Sequence, residues 1–276
     1  MATTKNAAAP AKKSGFKGIK NAIWILVICG VVAYTFYFKV LGAPENFAGN
    51  DPTGHPVNLM GTVYKGGFVV GLILTLLLSV ICLGVERFFA LRAAFGTMSL
   101  GKFTIQVKEY IKAGKFDEAI ALCNKMKGSV ANVVLASITA YKDAEANNTL
   151  KKAQKIAKIQ QAHEEATQLE MPTLTMNLPI IATIVTLGTL TGLLGTVTGM
   201  IKSFAALAAG GGGDSLALST GISEALINTA FGIATSWCAV VSYNYFTNKI
   251  DKLTFALDEV GYSIAQTYEA NHTEEA

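Results

Sequence analysis

Four stretches of the chain carry no charged side chain: Asn21 to Phe38, Gly66 to Val85, Met171 to Ile201, and Ala225 to Asn248, the last preceded by an apolar turn containing Glu224. A helix of about 20 apolar residues crosses a bilayer with all its backbone groups bonded internally, so the pattern predicts four transmembrane helices. The third stretch is too long for one crossing. At 1.5 Å per residue it reaches roughly 46 Å against a hydrocarbon core of about 30 Å, and is expected to leave the bilayer as a continuous helix. Pro172 and Pro179 are read as kinks in it, because apolar sequence resumes at once.

Between the second and third stretches the period changes. Phe103, Val107, Tyr110 and Ile111 recur at helical spacing, and Ala119, Leu122, Cys123 and Met126 do so after a break at Gly114. A further helix is expected over Val130 to Tyr141, and another from an N-cap at Asn148 or Thr149 through Lys151, Lys155, Gln160 and Glu164. Gly210 to Gly213, with Asp214 and Ser215, predicts a turn between spans three and four. Beyond Lys249, Leu253, Leu257, Val260 and Ile264 mark an amphipathic helix that frays over Asn271 to Ala276. No internal repeat is evident.

Composition agrees with a membrane protein. Hydrophobic residues make up 51% of the 276 and charged ones 15%, where soluble domains carry about 25% charged residues; mean hydropathy is +0.40. Too few charges remain to coat so apolar a core in water, so the excess faces lipid. A net charge of +4 and a pI near 8.7 are too mild and dispersed to indicate a nucleic-acid partner. They set topology instead. Lys12, Lys13, Lys17 and Lys20 place the N-terminus in the cytoplasm, and Glu86 to Glu170, with more than half of the basic residues, is retained there too. The first stretch is read as an uncleaved anchor, since its apolar part exceeds a signal peptide's and Pro44 follows the one plausible cleavage position, Ala43.

The expected organisation is all-α and polytopic. A cytoplasmic segment (1–20) precedes an extra transmembrane helix (21–41) and an irregular periplasmic loop (42–65). A second span (66–85) leads to a cytoplasmic helical domain (86–170). The third span (171–208) extends into the cytoplasm and joins, through a periplasmic turn (209–218), the fourth (219–248), with a cytoplasmic helix and tail last (249–276). Both termini are then cytoplasmic.

Glu224 is the only acid between Ser215 and Ile250 and lies roughly two turns into an apolar helix. An ionisable group at such a place is costly and is by default a functional candidate. The other reading stays open: a carboxyl solvated near the outer surface, or one tying helices together. Hydroxyls form a second signal. Thr189, Thr196 and Ser203 are spaced by seven on span three, while Thr220, Glu224 and Asn228, with Thr229 beside them, share a face of span four. Counted from the outer turn, Thr196 and Thr229 both lie roughly 17 Å deep, so they can meet across the helix pair. Isolated threonines usually bond their own backbone four residues back; two stripes at matched depth beside a carboxylate suggest more. Gly188, Gly192, Gly195 and Gly199 allow close helix packing, which is explanation enough for them.

Other chemistry lacks its residues. GxxxxGK[ST], GxGxxG and HExxH are missing from the sequence, and His55, His163 and His272 are scattered, so neither covalent catalysis nor a cofactor is expected. Cys29, Cys82, Cys123 and Cys238 have no CxxC spacing and no neighbouring histidine, which argues against a disulfide framework or a metal site.

Two stretches, Gly192-Leu-Leu-Gly-Thr-Val-Thr-Gly199 and Gly221-Ile-Ser-Glu-Ala-Leu-Ile-Asn-Thr-Ala-Phe-Gly232, resemble the paired signature of the MotA/TolQ/ExbB proton-channel family, and Tyr243-Asn244 strengthens the likeness to its ExbB and TolQ branch. The resemblance covers residues 170 to 250 strongly and the rest by topology. It implies a cyclic homo-oligomer, pentameric in the family, whose lumen encloses helices of an ExbD-like single-span partner and turns proton flow into force. By the same resemblance Thr196, Glu224 and Thr229 line the lumen, with the partner's aspartate as the carrier that takes and releases the proton.

The chain departs from the family in two places. Thr220 and Trp237 stand where many relatives have proline, which weighs against a proline kink in the last span. The extra first span gives a four-span plan like that of MotA. The implied function is that of an ExbB-like subunit in the bacterial inner membrane, energising outer-membrane uptake with ExbD-like and TonB-like partners. A TolQ-like envelope motor, a MotA-like motility stator and a non-conducting membrane scaffold are the alternatives. An alternating-access transporter fits poorly, because four spans without a repeat enclose no substrate cavity.

Overall fold

The computed structural model of the chain describes residue 19 and residues 22–52, 54–209 and 215–272. The N-terminal lysines, the Gly210–Gly213 turn, residues 273–276 and the side chain of Thr220 lie outside the described residues. Those described form nine α-helices: α1 (Ala22–Phe36, continued by a π turn, Tyr37–Leu41), α2 (Leu59–Lys65), α3 (Phe68–Phe95), α4 (Leu100–Lys112), α5 (Phe116–Met126), α6 (Ser129–Ala146), α7 (Lys152–Thr175), α8 (Leu178–Ala209) and α9 (Ser215–Asn271). Among them the one extended pairing is an isolated bridge between Phe47 and Pro56. Four helical stretches are long and apolar enough to cross a membrane: Ala22–Leu41, Phe68–Lys112, Lys152–Ala205 and Gly221–Asn271. The chain is therefore all-α with four candidate spans.

It divides into two compact units. One holds Ile19–Glu86 and Asn177–Phe246; the other holds Arg87–Met176 and the chain from Thr247 onward.

In the first unit α1 packs on α3 through small residues. A Cβ on Gly30 would lie 3.5 Å from Thr75 Cγ2, and one on Gly71 would lie 2.6 Å from the ring of Tyr34. Ile23, Trp24, Val27, Ile28 and Val31 point outward from α1, the all-round apolar character of a helix in lipid. Tyr37 stacks on Tyr64 with ring centroids 4.7 Å apart, and its hydroxyl donates to the Tyr64 carbonyl at 2.8 Å. The loop after α1 is organised by asparagines. Asn46 Nδ2 donates to the Val40 (2.8 Å) and Leu41 (3.0 Å) carbonyls. Its Oδ1 accepts from Asn58 Nδ2 at 2.8 Å, and Asn58 in turn caps α2 by accepting from the Gly61 N–H at 2.9 Å.

The third apolar stretch is not one helix. α7 ends at Thr175 and α8 starts at Leu178, with Asn177 in the left-handed region at φ 65. Pro179 explains the break: it has no N–H to offer, and its ring would collide with the Thr175 carbonyl in a continuous helix. It opens α8, whereas Pro172 is accommodated within α7. Asn177 tolerates the left-handed turn better than most residues. Its Nδ2 donates to Glu86 Oε2 and to the Ile19 carbonyl, each at 3.2 Å.

In the second unit the break expected at Gly114 separates α4 from α5, with φ 70. Phe103, Val107, Ile111, Cys123, Met126, Val134, Ile138 and Ile159 are buried with Leu253, Leu257, Val260 and Ile264 of α9, the stripe read from the sequence. Arg87 is buried and donates from Nη1 to the Thr173 carbonyl at 3.4 Å. The N-cap of α7 falls at Lys151, not at Asn148 or Thr149. The reason is local: Asn147 Oδ1 accepts from the Thr149 N–H at 2.9 Å and from its hydroxyl at 2.6 Å, which fastens Thr149 into a turn. Gln154 then reaches back to the Lys151 N–H at 3.1 Å. The C-terminal helix is no separate element, since α9 runs through to Asn271.

Candidate functional site

The site lies between α8 and α9, within the first unit, and its shape begins with glycine. A Cβ on Gly188 would sit 3.0 Å from the Gly232 carbonyl oxygen, and one on Gly192 would sit 3.1 Å from Gly232 Cα. With no side chain between them the two backbones approach far closer than leucine would allow. Gly195 leaves room for Asn228, whose Cβ would be 2.5 Å from a methyl there, and Gly199 does the same for Ala225 at 2.8 Å.

That close approach brings the hydroxyls together. Thr196 Oγ1 and Thr229 Oγ1 are in direct hydrogen-bond contact across the helix pair. Thr196 also has the Gly192 (3.2 Å) and Ala225 (3.5 Å) carbonyls as acceptors, and Thr229 has the Gly192 carbonyl at 3.2 Å. Each hydroxyl has one proton to donate and lone pairs to accept with. Two protons shared among more acceptors can be arranged in several ways, and rearrangement needs only rotation about Cβ–Oγ. Such a pair can pass a proton as well as hold two helices together.

Glu224 lies on α9 five residues before Thr229, about 7.5 Å along the axis, and is partly buried. The charges of Lys65 on α2 and Lys202 on α8 act on its carboxylate, whose own charge is felt at the phenol of Tyr37. Asn228 is 2% exposed; its Nδ2 donates to the Gly66 carbonyl at 3.0 Å, while its Oδ1 has no hydrogen-bond partner.

The other stripe positions differ. Ser203 is buried and donates to the Gly199 carbonyl of its own helix at 2.9 Å, and its Oγ crowds Gly221. Thr189 is exposed and bonds back to Thr186 at 3.0 Å, away from the Thr196–Thr229 pair. Lys65, Gly66 and Lys202 were not singled out from the sequence. Gly66 and Asn228 are 162 residues apart, and no local pattern announces their contact.

Residues 131–259, which include all of α8 and the site-bearing part of α9, match the profile of the MotA/TolQ/ExbB proton channel family. An ExbB-like biopolymer transport protein of Synechocystis sp. is 36% identical over 87 residues, 31% of this chain and 41% of that one. A biopolymer transport protein ExbB homolog of Methanothermobacter thermautotrophicus is 26% identical over 200 residues, 71% of this chain and 66% of that one. The Tol-Pal system protein TolQ of Pseudomonas aeruginosa is 35% identical over 95 residues, 34% of this chain and 41% of that one. The chain thus spans less than two thirds of the length of each of these relatives. Residues 131–259, in which the hydroxyl pair and the carboxylate lie, are thus similar to the MotA/TolQ/ExbB proton channel family, and the relatives place the likeness close to its ExbB-like members.

Proposed function

We propose that the chain is an ExbB-like subunit of a proton-driven motor in the bacterial inner membrane, with both termini in the cytoplasm. Subunits form a ring, pentameric as the family resemblance implies, around an ExbD-like single-span helix. Work is delivered through a TonB-like protein to outer-membrane transport. Thr196, Glu224 and Thr229 line the proton pathway, Thr189, Ser203, Thr220 and Asn228 extend it, and Gly188, Gly192, Gly195 and Gly199 set the helix spacing.

The observation that carries this reading is the Thr196–Thr229 hydroxyl contact, with the Glu224 carboxylate on the same helix. An apolar helix pair conducts no protons; a relay needs groups that both accept and donate. The hydroxyls do so, and the partner's acid completes the path. Each proton crossing 100 mV releases about 2.3 kcal/mol, enough to bias one step of a rotation.

The Pseudomonas aeruginosa TolQ relative favours a second output for the same chemistry, envelope maintenance. Pull-down from native membranes separates the outputs: a TonB-like protein supports the first, a Tol-Pal component the second, and a rotor protein a MotA-like stator. The backbone bonds of both threonines favour a third reading, a scaffold without ion flux. Replacing Glu224 by Ala decides against the scaffold if gradient-dependent uptake is lost while the complex persists; unchanged uptake overturns the motor.

A further inference from the structure

Where α3 leaves the apolar part of its sequence, the polar residues that follow are basic. The uncharged run ends at Val85, whereas the helix continues to Phe95, about 15 Å further along its axis. Phe88 and Phe89 are 45% and 57% exposed there, and their ring centroids lie 5.7 Å apart, edge to face. Arg92, exposed as well, follows one turn on along the same helix face. Aromatic rings with a long cationic side chain beyond them suit a membrane–water interface, because the rings sit at headgroup level and the stem reaches back to it. From Arg87 to Lys108 the sequence carries no acid.

A second stretch without acids, Ala119 to Tyr141, folds onto this helix end. The Thr97 N–H donates to the Met126 carbonyl at 3.0 Å, and the Thr97 hydroxyl has the Lys125 carbonyl at 3.2 Å. A Cβ on Gly128 would lie 2.8 Å from the Ala93 carbonyl oxygen and 2.6 Å from that of Ala94, so the turn between α5 and α6 is seated on the last turns of α3. It presents Lys125 and Lys127, both exposed.

These cations differ from others in the same unit. Lys108, Lys115 and Lys142 pair with Glu259, Glu118 and Asp117, whereas no carboxylate among the described residues pairs with Arg92, Lys125 or Lys127. Glu170 reaches the start of α6, but its Oε1 accepts from Asn132 Nδ2 at 3.1 Å. Lys127 also stands at φ 57, where glycine or asparagine is accommodated at less cost. A lysine kept there against the local preference points to its charge.

We propose that Arg92, Lys125 and Lys127 form a docking site for the headgroup of an anionic phospholipid of the cytoplasmic leaflet, with Phe88 and Phe89 beside its acyl chains. Two features favour a lipid over a free phosphate. The rings offer apolar contact that a free anion cannot use, and Arg92 lies about 10 Å beyond Val85, near the Debye length of about 8 Å over which an anionic surface acts. The site goes beyond the proposed motor and serves any of its outputs.

Native mass spectrometry of the full chain in non-ionic detergent, titrated with phosphatidylglycerol or phosphatidylcholine, tests this. Each basic residue near an anionic surface contributes roughly fivefold in affinity. The parent should therefore retain phosphatidylglycerol in preference, and the triple variant Arg92→Gln, Lys125→Gln, Lys127→Gln should retain the two lipids alike. Lys127→Gly lowers the preference by roughly fivefold with no fall in thermal midpoint, since glycine suits the backbone there; this separates binding from folding. Lys152→Gln, Lys155→Gln, Lys158→Gln removes as much charge roughly 25 Å or more up α7 from Thr175 and should leave the preference intact. Equal retention of both lipids by the parent, an unchanged preference in the first triple variant, or an equal loss in the second overturns the proposal. Displacement of the lipid by millimolar glycerol phosphate overturns it too, by assigning the cations to a free anion.

Discussion

Gly232 and Gly192 meet backbone to backbone: a Cβ on Gly232 would lie 2.7 Å from Gly192 Cα and 2.6 Å from the Gly188 carbonyl oxygen. Neither neighbour is a flexible side chain that could swing aside. Gly232→Ala therefore has to push α8 and α9 apart, and overpacking of this kind costs about 1–3 kcal/mol. Gly101, which has nothing within 4 Å of its Cβ position, is the control. Gly101→Ala is expected to be neutral or to gain up to about 1 kcal/mol from helix propensity. Thermal unfolding of the detergent-solubilised protein compares the two; equal midpoints would contradict the close approach.

The contact between Thr196 and Thr229 predicts a separation of stability from function. Thr229→Val keeps the shape and removes one donor, which costs about 1 kcal/mol in stability. On the proposed reading it breaks the relay, so gradient-driven uptake falls by roughly tenfold or more, the factor that about 1.4 kcal/mol in a barrier imposes. Thr229→Ser keeps the hydroxyl and most of the uptake. Matched membrane levels with unaltered uptake in Thr229→Val would leave the pair a purely structural feature.

How far the sequence disclosed this site follows from how local each contact is. Thr196 and Thr229 could be paired because both depths count back to one short turn, and helical rise is constant. The glycine spacing was readable for the same reason. Thr189 shows the limit: seven residues fall short of two turns of a straight helix by some 20°, and at that distance from the turn its hydroxyl bonds Thr186 instead of joining the pair. The Asn228–Gly66 bond was invisible, because it joins positions 162 apart and neither residue type signals it. The helix break at Asn177 had its signal in Pro179, two residues on. The unbroken apolar run outweighed it, although hydrophobicity says nothing about a missing N–H.

Asn177 yields a prediction of its own. At φ 65 an L side chain with Cβ costs about 1–2 kcal/mol, which Asn offsets in part by local hydrogen bonding. Its amide also donates to Glu86 and to the Ile19 carbonyl. Asn177→Ala keeps the strain and loses both bonds, and is expected to destabilise by about 2–3 kcal/mol, given that bonds to charged groups contribute about 1.5–3. Asn177→Gly relieves the backbone and loses only the bonds, so it falls between Ala and the parent. Equal unfolding midpoints for the two variants would show that the left-handed turn imposes no cost.

Cys123 is 1% exposed, and burial pushes its thiol up to about 12. Reactivity follows the thiolate, so Cys123 is expected to resist a maleimide at neutral pH in the folded protein and to react fully in denaturant. Mass spectrometry of the peptide spanning α5 reads the difference. Rapid labelling without denaturant would mean that the α4–α5 packing opens readily.

His163 couples the second unit to pH. Its Nδ1 is 2.9 Å from Ser137 Oγ, its Nε2 is buried without a partner, and a Cβ on Gly261 would lie 2.6 Å from the ring. Burial lowers its pKa below the ordinary 6.5, against the opposing pull of the Asp258 and Glu164 carboxylates. A histidine depressed in the folded state takes up its proton more readily once unfolded, so its stabilising effect is complete above 6.5 and is lost as pH falls through the folded value. Stability of this unit should therefore decline on acidification below 6.5, first seen as faster amide exchange in α6 and α7. His163→Leu removes the titrating group, while the Ser137 hydroxyl keeps its bond to the Val133 carbonyl at 2.9 Å. The variant's exchange should respond less to the same acidification, and an undiminished pH response in it would assign the effect to other groups.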